Sequence, residues 1–99
     1  MDKHEQIKNL QTIISTYGVN PQVDMAIEEC SELTKALLKF RRKPTDVTRK
    51  DIIEELADVQ IMLHQMNIIF ECEDEVESMI DYKINRQMER IRTVLKNEH

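Results

Sequence analysis

Four acidic residues stand in two pairs of equal spacing, Glu29 with Glu32 and Glu55 with Asp58. Side chains three apart on a helix share a face, so each pair presents both carboxylates to one side. On a wheel of about 3.6 residues per turn, Glu29 falls among Met25, Leu33, Ala36 and Phe40. It lies off the polar strip of Asp24, Glu28, Ser31, Lys35 and Lys39. Glu32 sits one turn along, at the edge of the same facet. Glu55 flanks an apolar stripe of Ile52, Leu56, Val59, Leu63, Met66 and Phe70, and Asp58 follows near Gln65 and Ile69. A carboxylate held away from water costs several kcal/mol without compensation, and neighbouring like charges add repulsion. Lys35 and Lys39 are nearest in sequence but belong to the solvent strip, where they are poorly placed to compensate. The pattern therefore asks for a cation, and oxygen-only ligands select a hard one, Mg²⁺ or Mn²⁺, over Zn²⁺. Acids beside apolar positions also arise by chance in a chain with 19 of them, so spacing alone leaves ordinary surface acids as a second reading.

The elements that would carry these acids are helical throughout. The only glycine is Gly18 and the only prolines are Pro21 and Pro44, which confines the main breaks to two places. A first helix is expected over about 3–16, with Ile7, Leu10, Ile14 and Tyr17 on one stripe and Gly18 as its stop. Asn20 reads as the cap of a second helix, with Pro21 at the first helical position. That helix runs to Arg42, where Arg41-Arg42-Lys43 suits the negative end of its dipole and Pro44 bars continuation. Its core stripe reads Val23, Ala26, Ile27, Cys30, Thr34 and Leu37. Thr48 with Asp51 resembles a capping box opening a third helix that ends near Phe70. An acidic connection over 71–74 then leads to a fourth helix, whose Val76, Met79 or Ile80, Met88, Ile91 and Leu95 point to a core. Four helices with short links predict an all-α, four-helix bundle-like domain.

Composition sets the outer bounds. Ninety-nine residues, 40% hydrophobic and 33% charged, with no linker-like tract, make a single domain over 1–99. A chain this short buries only roughly 60–70% of its unfolded surface. A second apolar ridge on the third helix, Ile53, Ala57, Ile61 and Ile68, calls for burial on two faces. Both features predict completion by oligomerisation, with the ridge packed against a second subunit. A net charge of −5 argues against a nucleic-acid polymer as partner. No apolar run spans a bilayer and the start Met-Asp-Lys-His is unlike a signal peptide, so no membrane association and a cytoplasmic location are expected. Cys30 and Cys72 form no motif and read as reduced thiols.

The run Glu28-Glu29-Cys30-Ser31-Glu32-Leu33, followed by Glu54-Glu55-Leu56-Ala57-Asp58-Val59, resembles the EExxE...ExxD signature of the MazG-like all-α nucleoside triphosphate pyrophosphohydrolases, over about 21–90. The resemblance implies a MazG-type fold with Glu29, Glu32, Glu55 and Asp58 as Mg²⁺ ligands, Mn²⁺ being a possible substitute. It implies an enzyme that converts an NTP or dNTP and water to the monophosphate and pyrophosphate, with the clearing of non-standard or surplus nucleotides as its role and a homodimer or homotetramer as its assembly. Glu29 is the first choice for the carboxylate that accepts the water's proton, with Glu28 and Glu32 as alternatives. In Tyr82-Lys83-Ile84-Asn85-Arg86, Lys83 and Arg86 look like the family's later basic element for phosphate binding. Tyr17, Phe40, Phe70 and Tyr82 are the aromatics available to stack on a base, and His64, opposite Glu55, reads as a surface or interface residue. The competing reading is a catalytically weak helical interaction or regulatory module that keeps the metal site. A ferritin-like carboxylate site is disfavoured, because it wants Glu-x-x-His where this chain has Glu32 and Asp58.

Overall fold

A computed structural model describes residues 1–98, and these form four α-helices joined by short links. Helix α1 spans Lys3–Tyr17, α2 Val19–Arg42, α3 Asp46–Ile69 and α4 Glu73–Asn97. The protein is all-α, as its periodicity predicts.

Most caps follow simple chemistry. The Asp2 carboxylate accepts the amide of Glu5 at 2.8 Å and so opens α1. Gly18 alone links α1 to α2: its amide donates to Ile14 at 2.8 Å, and its carbonyl accepts from Gln22 at 3.3 Å. The cap of α2 is therefore Gly18 rather than Asn20. Pro21 becomes the third helical residue, still within the first turn, where a missing N–H leaves no bond unmade. At α3 the capping pair is Thr45 and Thr48, not Thr48 and Asp51. Thr48 donates its amide to Thr45 Oγ1 at 3.1 Å, and Thr45 donates its own to Thr48 Oγ1 at 2.9 Å. A threonine hydroxyl both donates and accepts, so it can take the glutamate's place in the box. Glu73, Asp74 and Glu75 form the first turn of α4, where negative charge meets the positive end of the helix dipole, so the expected acidic connection shrinks to Phe70–Cys72.

Helices α2 and α3 make the dominant pair, an αα-hairpin across the three-residue link 43–45, and α1 packs on both. Ala36 of α2 and Val59 and Met62 of α3 are the buried apolar residues, accompanied by the buried amides Gln22 and Gln65. The facet of α2 turned to α3 is thus the one that carries Glu29, Leu33, Ala36 and Phe40. The stripe expected as core divides: Val23 and Ala26 are half-buried, whereas Ile27, Cys30, Thr34 and Leu37 are exposed. Alternation reveals that α2 has two apolar facets, but the tight 43–45 link decides which one meets α3. On α3, Leu56, Leu63 and Phe70 likewise face outward, as do Ile53 and Ile61 of the second ridge.

Helix α4 departs furthest from expectation. Among the described residues it meets only α3, and none of its side chains is buried. Val76, Met79, Ile80, Met88, Ile91 and Leu95 are exposed and reach no core of their own chain. The projecting helix gives a radius of gyration of 17.6 Å, against about 13 Å for a compact chain of this length.

Gly18 has φ +96° and ψ 159°, a region essentially closed to residues with a Cβ. A Cβ there would meet Pro21 Cδ at an ordinary 3.6 Å, so the backbone, not space, requires glycine. Gly18→Ala is expected to lower unfolding free energy by about 1–3 kcal/mol, read as a fall in urea midpoint with an unchanged m-value.

Candidate metal centre

The hairpin places Glu29, at mid-helix on α2, against Glu55 and Asp58, one turn apart on α3. One carboxylate oxygen from each lies within 4.8 Å of the others. Glu29 and Glu55 are half-buried and Asp58 is exposed, so the cluster opens to solvent on the Asp58 side. Glu55 Oε2 is buried with no hydrogen-bond partner. Partial burial pushes the Glu29 carboxyl above the usual carboxylate range. The negative charges of Asp58 and Glu55 push it further, as does the hydrogen bond that a protonated Glu29 donates to Glu55, and the Glu28 charge adds to them.

Among the described residues, no lysine, arginine or histidine forms an ion pair with these three acids; the ion pairs are Lys35–Glu32 and Arg92–Glu89. Two like unit charges at this separation cost roughly 1 kcal/mol in bulk water and about 3–4 kcal/mol near a protein surface. A divalent cation would reverse both terms and give the orphaned Glu55 oxygen a partner. The all-oxygen donor set suits Mg²⁺ or Mn²⁺, so the residues present fit the expected ion.

Glu32 stands apart from the cluster. Half-buried one turn further along α2, it accepts from Lys35 Nζ at 3.3 Å. Lys35 is thus closer to the acid facet than its place on the solvent strip suggests. An i,i+3 pair spans adjacent facets of a helix, and a lysine stem is long enough to cross between them.

Beside the cluster, α2 and α3 enclose a cleft of about 400 Å³. Glu32 and Glu55 line it together with Lys35, Lys39 and Arg42. Sequence reasoning did not single out this cationic edge; the i, i+4, i+7 spacing of its three residues was the available signal. Lys83 and Arg86, the basic element expected at the phosphates, lie exposed on α4, which among the described residues makes no contact with α2 of the same chain. The Arg86 guanidinium instead sits 5.8 Å from the centre of the Tyr82 ring.

The chain matches no family model, no curated protein and no solved structure. Of the remaining candidates, Tyr17, Phe70, Tyr82 and His64 are exposed, Phe40 is half-buried, and none of the five lines the cleft. Cys30 and Cys72 are free thiols.

Because the Glu29 carboxyl is raised, its ionised form destabilises the metal-free fold. That cost is fully present above the raised value and disappears as pH falls below the usual carboxylate range. Metal-free Glu29→Gln is accordingly expected to melt higher than the parent at pH 7, with the difference closing on acidification to about pH 4. Adding Mg²⁺ should raise the parent's melting temperature more than the variant's. Calorimetry at several pH values, with and without Mg²⁺, measures both effects; a parent that melts above Glu29→Gln in EDTA at pH 7 contradicts the electrostatic account.

Proposed function

We propose that the protein is a Mg²⁺-dependent nucleoside triphosphate pyrophosphohydrolase of MazG-like type, converting an NTP or dNTP and water to the monophosphate and pyrophosphate. The observation that carries this reading is the convergence of Glu29, Glu55 and Asp58 across the α2–α3 hairpin, none of them ion-paired to a cationic side chain among the described residues. The sequence resemblance supplies the reaction class.

In this reading Glu29, Glu55 and Asp58 would hold the ion, with Glu32, now paired with Lys35, as the fourth carboxylate. Mg²⁺ would supply neutralisation of phosphate oxygens and activation of the attacking water. Glu29 accepts the water's proton as the α-phosphorus is attacked, and the half-buried position of Glu29 and Glu55 limits competing solvent.

The decisive assay incubates the protein with Mg²⁺ and a panel of dNTPs and NTPs and identifies the products. Monophosphate with pyrophosphate is expected, with kcat/KM reduced at least about a hundredfold in Glu55→Gln. Diphosphate with inorganic phosphate would instead point to γ-phosphoryl chemistry and sink the assignment. A chain that binds Mn²⁺ but turns over none of the panel is better read as an interaction or regulatory module.

A homo-oligomer is part of the same proposal. It is supported by the unpartnered apolar positions of α4 and by Ile27 and Leu37 of α2, all exposed in one chain. Light scattering on the purified protein is expected to give two or four times the 11.8 kDa chain mass; a monomer at micromolar concentration refutes this part alone.

A further inference from the structure

The proposed centre accounts for the acids of the α2–α3 hairpin but leaves the adjacent cleft unexplained. Its α3 wall carries Asp51, Glu54 and Glu55, while α2 contributes Lys35, Lys39 and Arg42 beyond Glu32. The three cations recur at i, i+4 and i+7, which aligns them along the helix rather than around it. Only Lys35 is ion-paired, through Glu32; among the described residues neither Lys39 nor Arg42 pairs with an acid, although acids line the same cleft. Two unpaired cations beside a carboxylate centre are positioned for a ligand with negative charge at one end and metal affinity at the other.

We propose that Lys35, Lys39 and Arg42 form the subsite for the polyphosphate tail, running along α2 away from the carboxylate centre. The inference rests on the metal centre proposed above and assigns the substrate's trailing phosphates to α2 of the same chain, in place of Lys83 and Arg86. Four carboxylates against three cations leave the cleft with a formal charge of −1, so it does not attract bare phosphate. A polyphosphate that arrives with its divalent cation presents positive charge to the carboxylates and oxyanions to the cationic edge. Arg42, at the far end, offers a planar fork suited to two oxygens of a terminal phosphate, whereas Lys39 supplies a compact point charge between. The 400 Å³ volume is sufficient for a short oligophosphate chain.

The test uses inorganic tripolyphosphate with Mg²⁺ as the probe, measured by titration calorimetry, and Mn²⁺ alone measured by electron paramagnetic resonance. K39Q/R42Q is compared with K83Q/R86Q; all four positions are exposed, so folding is preserved and is checked by circular dichroism. K39Q/R42Q should bind Mg²⁺-tripolyphosphate about ten- to a hundredfold more weakly, while K83Q/R86Q binds it as the parent does. Bare Mn²⁺ should bind K39Q/R42Q as tightly as the parent or more tightly, because two repelling charges have gone. This opposite response separates a phosphate subsite from general damage to the centre. Unchanged tripolyphosphate binding in K39Q/R42Q overturns the proposal, as does a parent that binds no tripolyphosphate, or a parallel loss of Mn²⁺. A parent that binds Mg²⁺-tripolyphosphate but not Mn²⁺ alone removes the preformed metal centre, and the K39Q/R42Q comparison then decides the subsite by itself.

Discussion

Three carboxylates within 4.8 Å of one another repel, and helix packing must supply the force that holds them there. That force comes from the contact of α2 with α3, in which Ala36 lets the two backbones approach and Val59 and Met62 fill the seam. Burying one such side chain contributes roughly 1.5–3 kcal/mol, comparable with the repulsion of a single acid pair at partial burial. The packing and the charge cluster are therefore opposed terms of similar size, and the position of each helix reflects their balance. A cation bound among the three acids would relieve that opposition.

The same contact settles what each helix leaves unused. Turning Glu29, Leu33, Ala36 and Phe40 toward α3 exposes Ile27, Cys30, Thr34 and Leu37. Directing α4 away from α2 leaves its apolar positions uncovered. The small buried set, three apolar residues and two glutamines, follows directly from that arrangement. The side-chain amide oxygen of Gln65 is buried without a partner among the described residues, a further cost that this seam sustains.

Much of this was legible in the residues. Helix number and approximate extents followed from the scarcity of glycine and proline, and the placement of Glu29 and Glu55 on apolar flanks agrees with their half-burial. Two kinds of information were missing. Periodicity defines a stripe but not its partner, so Val23 through Leu37 read as core on a helix with two apolar facets, and α4 read as packed because its pattern is amphipathic. Caps were misread where chemistry is degenerate: Thr48 suits either end of a capping box, and Asn20 is as good a cap in sequence as Gly18. The cleft beside Glu55 was invisible for a different reason, since Lys35, Lys39 and Arg42 look like an ordinary solvated edge until α3 lies alongside them.

The link of three residues between α2 and α3 has a consequence for the order of assembly. Glu29 and Asp58 lie about thirty positions apart, and each matched pair along the hairpin encloses a shorter loop as it nears Pro44. Closing such loops costs little entropy, and contacts of low sequence separation form early. The hairpin can therefore zip from its turn toward the acids, completing the cleft before the centre. Neither the acid cluster nor the cleft includes a residue of α4, so both are expected to form on the α2–α3 hairpin before the fourth helix docks.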